Sequence, residues 1–167
     1  MDISELIYRI HLDLLQHGQQ YKFYVESAVV AVLFYVGFTD FTTFKIRNDT
    51  VLLLLILYLI FAFIDRSWIE IFSDITLAAI IFGVLLWFYT RGVVGGGDVK
   101  FMTVVYLWIG AHCALLFSAF LLVLIGLHLV AARIGWARTK PRAGRHAIPY
   151  APSVAGALIA SIMLGCV

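Results

Sequence analysis

The chain alternates between long apolar stretches and short polar connections. Five stretches without charged residues cover 27–39, 50–64, 75–90, 101–132 and 147–167. A bilayer core of about 30 Å needs about 20 helical residues, so stretches of this kind predict membrane-spanning helices. The fourth stretch is too long for one span, and a break near Gly110 to Cys113 divides it into two.

The pattern therefore predicts an all-α, polytopic membrane protein with about six transmembrane helices. Several of the predicted spans are short, which implies that they borrow flanking residues or thin the bilayer. Together they form a six-helix domain over residues 24–167. The expected spans are 24–39, 49–64, 73–90, 98–111, 114–132 and 147–166.

Residues 1–23 have a different pattern. Their apolar residues recur at helical spacing, with charged and polar residues between them: Ile3, Leu6, Ile7, Ile10 and Leu14. This spacing predicts an amphipathic helix that lies in the membrane interface. A frayed polar terminus explains the same pattern about as well.

Composition supports the membrane assignment. The chain is 63% apolar and 13% charged, whereas soluble domains are about half apolar and about a quarter charged. The formal net charge is only +2, and topology explains where the basic residues lie. The protein is therefore expected to lie in a lipid bilayer, and no nucleic-acid partner is expected.

The basic residues also predict an orientation, because cytoplasmic connections carry an excess of Lys and Arg. Three alternate connections hold nine of the 12 basic residues: Lys45, Arg47, Arg91, Lys100, Arg133, Arg138, Lys140, Arg142 and Arg145. These connections are expected to face the cytoplasm, with both termini outside. With five spans instead of six, the basic cluster 133–145 would lie on the outer side of the membrane, against the positive-inside pattern.

Two acids at span ends are the candidate chemistry. Asp98 follows a glycine cluster in Gly95-Gly96-Gly97-Asp98-Val99-Lys100, and Asp40 ends the first predicted span. An acid at the edge of a bilayer is costly and is a functional candidate by default. The topology puts both acids on one face. Two neighbouring carboxylates share a proton, so one activates water while the other donates to a scissile carbonyl.

The residues around the acids have candidate supporting roles. Gly95, Gly96 and Gly97 are expected to adopt positive φ and to let a substrate backbone approach Asp98, although they also suit a plain loop. Lys100 either biases the acids toward ionisation or is an interfacial lysine. Asn48 either caps the second span or positions Asp40.

The remaining candidates for metal or redox chemistry have simpler explanations. Cys113 and Cys166 lie in apolar stretches, which predicts buried, inert thiols, and no Cys-x-x-Cys pair is present. His112 and His128 lack a second ligand at metal spacing and are interpreted as core histidines. No metal or cofactor is expected.

Three motifs carry a family resemblance. They are Asp40 followed by Ile46-Arg47-Asn48, then Gly95 to Phe101, then Ile148-Pro149-Tyr150 in the last span. Together they resemble the type IV prepilin peptidase family, in particular its short, peptidase-only branch that serves Flp-type (tight-adherence) pili. The glycine–acid–lysine motif is specific, while Arg47 stands where the family usually has proline.

The resemblance implies that Asp40 and Asp98 are a catalytic pair that needs no metal. The implied reaction removes the leader of prepilins and pseudopilins at the cytoplasmic face of the bacterial inner membrane. The cut falls just before the hydrophobic segment of the substrate. The connection between the first two spans is short and lacks cysteine, so the methyltransferase activity of longer relatives is not expected.

Three other functions compete with this one. Presenilin-like proteases share G-x-G-D, but this chain lacks their Tyr-Asp pair and their Pro-Ala-Leu motif. A small proton- or cation-coupled transporter would use the same two acids, yet transporter sites usually lie near the bilayer midplane. An inactive pilus-assembly scaffold also stays open.

Overall fold

The computed structural model of the chain describes residues 3–136, 140–142, 145–147 and 149–166. These residues form five helices, with a short antiparallel hairpin before the last one. The helices are α1 (Ile3–Thr43), α2 (Asn48–Asp65), α3 (Trp68–Thr90), α4 (Gly96–Arg133) and α5 (Ala151–Met163), and the hairpin strands are β1 (Lys140–Arg142) and β2 (Arg145–Ala147). The predicted all-α, polytopic membrane fold is confirmed.

Four helical segments are long and apolar enough to cross a membrane. They are Gln20–Thr43, Asn48–Asp65, Trp68–Thr90 and Gly96–Arg133. The fifth helix, α5, is apolar but has only 13 residues, or about 20 Å at 1.5 Å per residue. It is therefore shorter than the bilayer core on its own.

The prediction for the last span was wrong at its start. The span was expected to begin at residue 147, but Ala147 belongs to β2 and α5 begins at Ala151. Two prolines explain the delay, because Pro149 disfavours helix in the residue before it and Pro152 suits a first helical turn.

The predicted break in the fourth apolar stretch is present at Gly110. This residue has φ 65° and ψ 176° inside α4, so the helix consists of two segments, 96–109 and 111–133. Only glycine readily adopts this backbone conformation. With this break, the described chain contains six apolar helical segments.

The N-terminal part of the chain is helical, but no interruption separates it from the first span. The helix α1 runs for 41 residues, about 62 Å at 1.5 Å per residue, which is twice the thickness of the bilayer core. The first half of α1 therefore extends the axis of the membrane-spanning half. The interfacial position of residues 1–23 stays a prediction.

The bundle packs around α5 and the first segment of α4. The helix α5 contacts both α1 and α4, while α2 contacts α1 and α4, and α3 packs on α4. Trp108 is fully buried in this core, where its ring lies against Tyr58 and Phe61. Its Nε1 donates to the Leu54 carbonyl oxygen over 3.0 Å, which fixes α4 against α2.

A buried acid at the edge of the predicted third span supports the break in α4. Asp74 is 1% exposed and accepts hydrogen bonds from Tyr58 Oη at 3.3 Å and from the backbone N–H of Ala111. The Arg66 guanidinium lies 3.6 Å from its Oδ2. Asp74 therefore accepts a hydrogen bond at the start of the second α4 segment, where backbone N–H groups lack partners within the helix.

One local motif would have placed Asp74 correctly. Ser67 and Glu70 form a capping box at the start of α3, and the spacing Ser-x-x-Glu is visible in the sequence. A helix that begins at residue 68 contains Asp74, whereas the predicted start at 73 left it at the boundary. Because an acid inside an apolar helix is costly, this position would then have predicted that Asp74 pairs with another polar group in the bundle.

The two cysteines are not inert thiols, contrary to the prediction. Cys113 and Cys166 form a disulfide. It joins the start of the second α4 segment to the chain just after α5. Because α5 begins near Asp40 and ends near this bond, the disulfide lies at the opposite end of the bundle from that acid.

Candidate active site

Asp40 lies in the last turn of α1 and is buried, with 4% of its surface exposed. Its Oδ2 accepts a hydrogen bond of 3.0 Å from the backbone N–H of Ala151. Ala151 is the first residue of α5, and no side chain from the preceding Tyr150 caps that helix. Asp40 therefore acts as the cap of α5 from another helix, and its carboxylate interacts favourably with the positive end of the helix dipole.

Asp98 lies in the first turn of α4 and is half-buried. Its Oδ2 accepts from the backbone N–H of Gly95 at 3.3 Å. This contact is the carboxylate half of a capping box, in which the third helical residue reaches back to the N-cap. The local fold thus holds the Asp98 carboxylate at the start of a span.

The glycine cluster does not adopt the positive φ that was expected from the sequence. Gly95 has φ −78° and ψ 148°, while Gly96 and Gly97 belong to α4. A Cβ added to Gly97 would lie 3.4 Å from Ile46 Cβ, and one added to Gly96 would lie 3.4 Å from the Tyr89 ring. These glycines therefore permit close packing of the neighbouring connection and helix.

The first turn of α5 lies close to both acids. Ala151 binds Asp40 through its N–H and also lines a cavity of about 120 Å³ together with Asp98. Both carboxylates thus lie near the same helix start. Pro149 and Tyr150 were noted as a motif, but Ala151 was not assigned a role, since a backbone donor leaves no mark in the amino-acid pattern.

Asn48 does not cap α2, contrary to the first of the two interpretations of this residue. It is the first residue inside the helix, and Arg47 occupies the N-cap position without a side-chain cap. The Arg47 guanidinium instead binds the Asp49 carboxylate at 2.9 Å. That hydrogen bond raises the pKa of the Arg47 guanidinium above its usual value. Because arginine is always protonated at physiological pH, this position carries a positive charge where the family usually has proline.

Lys100 and Asn48 form a clamp between two parts of the site. The Lys100 Nζ donates to Asn48 Oδ1 over 3.1 Å, across 52 residues of sequence. Asn48 follows the connection that leaves α1 just after Asp40, and Lys100 lies two residues after Asp98. The clamp therefore ties the helix end that carries one acid to the helix start that carries the other.

We expect Lys100→Met and Asn48→Ala each to weaken the clamp. A solvent-exposed hydrogen bond of this kind contributes about 0.5–1 kcal/mol, so each variant should lose a few-fold of the wild-type activity. A double-mutant cycle on unfolding free energy and on turnover measures the coupling. Additive effects of the two substitutions would show that the pair does not act as a unit.

The two histidines have different environments. His128 Nδ1 lies 3.2 Å from Ser153 Oγ, and Ser153 is buried in the first turn of α5. His128 is thus a half-buried histidine with a polar partner, rather than the fully packed core histidine that was expected. His112 is exposed beside the break in α4, so the core assignment was wrong there, because the break turns this residue outward.

The arrangement has the elements of an aspartic peptidase site. The half-buried Asp98 borders a cavity that Ala151 also lines, and the backbone N–H of Ala151 donates to the buried carboxylate of Asp40. Such carboxylates can divide the roles of general base and general acid between them.

The chain was compared with protein families, curated proteins and solved structures. The sequence model of the type IV leader peptidase family matches residues 27–132, which is more than half of the chain and includes Asp40 and Asp98. No curated protein and no solved structure matches the chain.

Proposed function

This chain belongs to the type IV leader peptidase family, and we propose that it is an aspartic endopeptidase that uses Asp40 and Asp98 to remove the leaders of Flp-type prepilins and pseudopilins. The observation that carries the proposal is that both acids flank the first turn of α5. The type IV leader peptidase family is a family of peptidases, and the chain is a multi-pass membrane protein. The substrate, the catalytic pair and the side of cleavage are parts of the proposal.

The proposed chemistry is hydrolysis by a shared-proton pair. The ionised carboxylate removes a proton from water as the water oxygen attacks the scissile carbonyl carbon, and the protonated carboxyl donates its proton to the carbonyl oxygen. Collapse of the tetrahedral intermediate breaks the C–N bond and returns a proton to the amine. The pair titrates as a unit, so the two roles are not divided between Asp40 and Asp98.

The hydrogen bond to Ala151 has a place in this chemistry. It holds Asp40 Oδ2, so we assign the other oxygen, Oδ1, to the proton transfers of the pair. Because Ala151 lies in the first turn of α5, a shift of this helix would move Asp40 and the cavity wall together. The position of the Asp40 carboxylate therefore depends on the position of the first turn of α5.

The proposed cleavage side is the cytoplasmic face. Disulfides persist in oxidising compartments, so the end of the bundle with Cys113 and Cys166 is assigned to the outside of the inner membrane. The end with Asp40 and Asp98 then faces the cytoplasm, in agreement with the basic connections. Both lines of argument place the termini outside.

A direct test uses purified enzyme in liposomes with an Flp-type prepilin. We expect the substrate to lose a mass equal to its leader, with the new N-terminus at the first residue of the hydrophobic segment. A transporter would instead show proton or cation flux across the same liposomes without cleavage. Failure to cut any of several Flp-type prepilins would contradict the proposed function.

The disulfide provides a separate prediction about orientation. We expect wild-type protein from cells with an oxidising periplasm to change its gel mobility on reduction, and Cys166→Ser protein not to. Loss of a bond that closes a loop of 53 residues should lower the unfolding free energy by about 2–4 kcal/mol while cleavage is retained. Labelling of both thiols by a maleimide without prior reduction would contradict the orientation.

A further inference from the structure

His128 is a polar side chain inside an apolar stretch of α4. From Ala119 to Ala132 it is the single residue with a polar side chain, and it is half-buried in the bundle. A titratable group in a membrane helix is costly, so its presence indicates a partner and a role. Neither the proposed proton transfers nor the clamp between Lys100 and Asn48 uses this residue.

The partner of His128 is Ser153, in the first turn of α5. The His128 Nδ1 lies 3.2 Å from Ser153 Oγ, and this serine is 5% exposed. The other buried serine of α5, Ser161, donates instead to the carbonyl oxygen of Ala157 in its own helix, over 2.9 Å. Of the two serines, Ser153 is therefore the one that ties α5 to α4.

The same turn of α5 presents one backbone donor to Asp40. Pro152 has no N–H, and the Ser153 N–H donates to the carbonyl oxygen of Tyr150 at 3.1 Å. Among the first three residues of α5, this leaves the N–H of Ala151, which donates to Asp40 Oδ2 at 3.0 Å. The placement of a single turn thus sets the position of the carboxylate.

His128 also lies near Asp40 itself. The Asp40 carboxylate and the His128 ring interact electrostatically, and such interactions are strong where apolar surroundings exclude water. Two influences of His128 therefore converge on one carboxylate. One is a hydrogen bond to the turn that holds this acid, and the other is a direct electrostatic interaction.

We propose that His128 is a positioning residue, which holds the first turn of α5 through Ser153 and thereby sets the position of the Asp40 carboxylate. The inference rests on the proposed function, because the position of Asp40 affects cleavage only if Asp40 takes part in it. A displacement of about 1 Å in a reacting group lowers turnover by up to about 100-fold. A contact between two helices can therefore control the rate without touching the substrate.

The kinetic test removes each side of this contact. His128→Leu and Ser153→Ala should each lower kcat for prepilin cleavage by about tenfold or more, with KM unchanged because substrate binding is not affected. The double variant should be no slower than the slower single variant, since both substitutions remove one contact. His128→Asn should recover activity to within about threefold of the wild type, because its amide reaches the place of Nδ1 and bonds Ser153.

The matched controls are Ser161→Ala and His112→Leu. Ser161 is a buried serine of α5 that bonds within its own helix, and His112 is an exposed histidine of α4. Both variants should cleave at close to the wild-type rate. These controls separate the contact between His128 and Ser153 from a general need for a serine on α5 or a histidine on α4.

A second readout needs no substrate. Tyr150-Ala151 is the single Tyr-Ala pair in the chain, so ¹³C in tyrosine carbonyls and ¹⁵N in alanine give one shared NMR signal, that of the Ala151 amide. This signal reports on the hydrogen bond to Asp40. It should shift in Asp40→Asn, His128→Leu and Ser153→Ala, and keep its wild-type position in both controls. Partial unfolding would weaken the signal without moving it.

The two readouts fail in different ways. An Ala151 signal at its wild-type position in His128→Leu and Ser153→Ala would overturn the inference, and so would a wild-type kcat in both variants. Absence of cleavage by the wild-type enzyme would contradict the proposed function and, with it, a role of this contact in catalysis. The NMR signal would still decide whether His128 holds the turn, because it is measured without substrate.

Discussion

Asp40→Asn and Asp98→Asn are each expected to lower leader cleavage by on the order of 10³-fold or more, the scale of general acid–base catalysis. In the Asp40→Asn variant, the new amide oxygen can still accept from Ala151, whose N–H lies 3.0 Å from Asp40 Oδ2 in the native protein. Each substitution therefore removes the proton chemistry while keeping the size of the side chain. Cleavage is measured as the mass loss of a prepilin leader.

The matched control for these variants is Asp49→Asn. Asp49 lies near the same end of the bundle, but its side chain is 79% exposed and pairs with Arg47. We expect this variant to cleave at close to the wild-type rate. Both catalytic variants should unfold at the wild-type temperature and contain the disulfide. Cleavage within about threefold of the wild-type rate in either variant would contradict the catalytic pair, since it falls far short of the loss expected for acid–base groups.

The second large effect is expected at Gly110, where alanine should destabilise the fold by about 3–5 kcal/mol, from backbone strain and a steric clash together. The backbone there has φ 65° and ψ 176°, a region that costs a residue with a Cβ about 1–3 kcal/mol. The added Cβ would also lie 2.6 Å from Asp74 Oδ1. Asp74 is buried beside Arg66 and cannot move without leaving that ion pair in a poorer geometry.

Gly126→Ala is the matched control for Gly110→Ala. Gly126 lies in the helical second segment of α4, and nothing is within 4 Å of an added Cβ. Alanine there should leave stability unchanged or raise it by up to about 1 kcal/mol. Unfolding in detergent, followed by circular dichroism, measures both variants. Equal stability of the two variants would contradict the proposed role of the break.

Local pattern was enough to locate the spans and the acids. Apolar length predicted the membrane helices, and Gly110 marked the break because α4 is too long for one span. The residues at which helices begin and end were harder to predict from the sequence. The start of α5 was misplaced and α3 was predicted to begin too late, because prolines set the first helix end and a capping box sets the second, and hydropathy reports neither.

Pairs of residues that are distant in the sequence could not be predicted from it. The sequence places Cys113 and Cys166 in separate apolar stretches, and only the packing of α5 on α4 brings them together. The same holds for Lys100 with Asn48. Single residues carry no information about such partners, because each contact depends on the relative positions of whole helices.

A helical membrane protein with two acids at the ends of spans could be identified from the amino-acid pattern alone, because apolar length and the position of a charge are local properties of the chain. The environment of these acids depends instead on contacts between distant helices. Asp40 meets the backbone N–H of Ala151 across 111 residues, and Ala151 shares a cavity with Asp98. Those contacts exist because α5 packs against both α1 and α4.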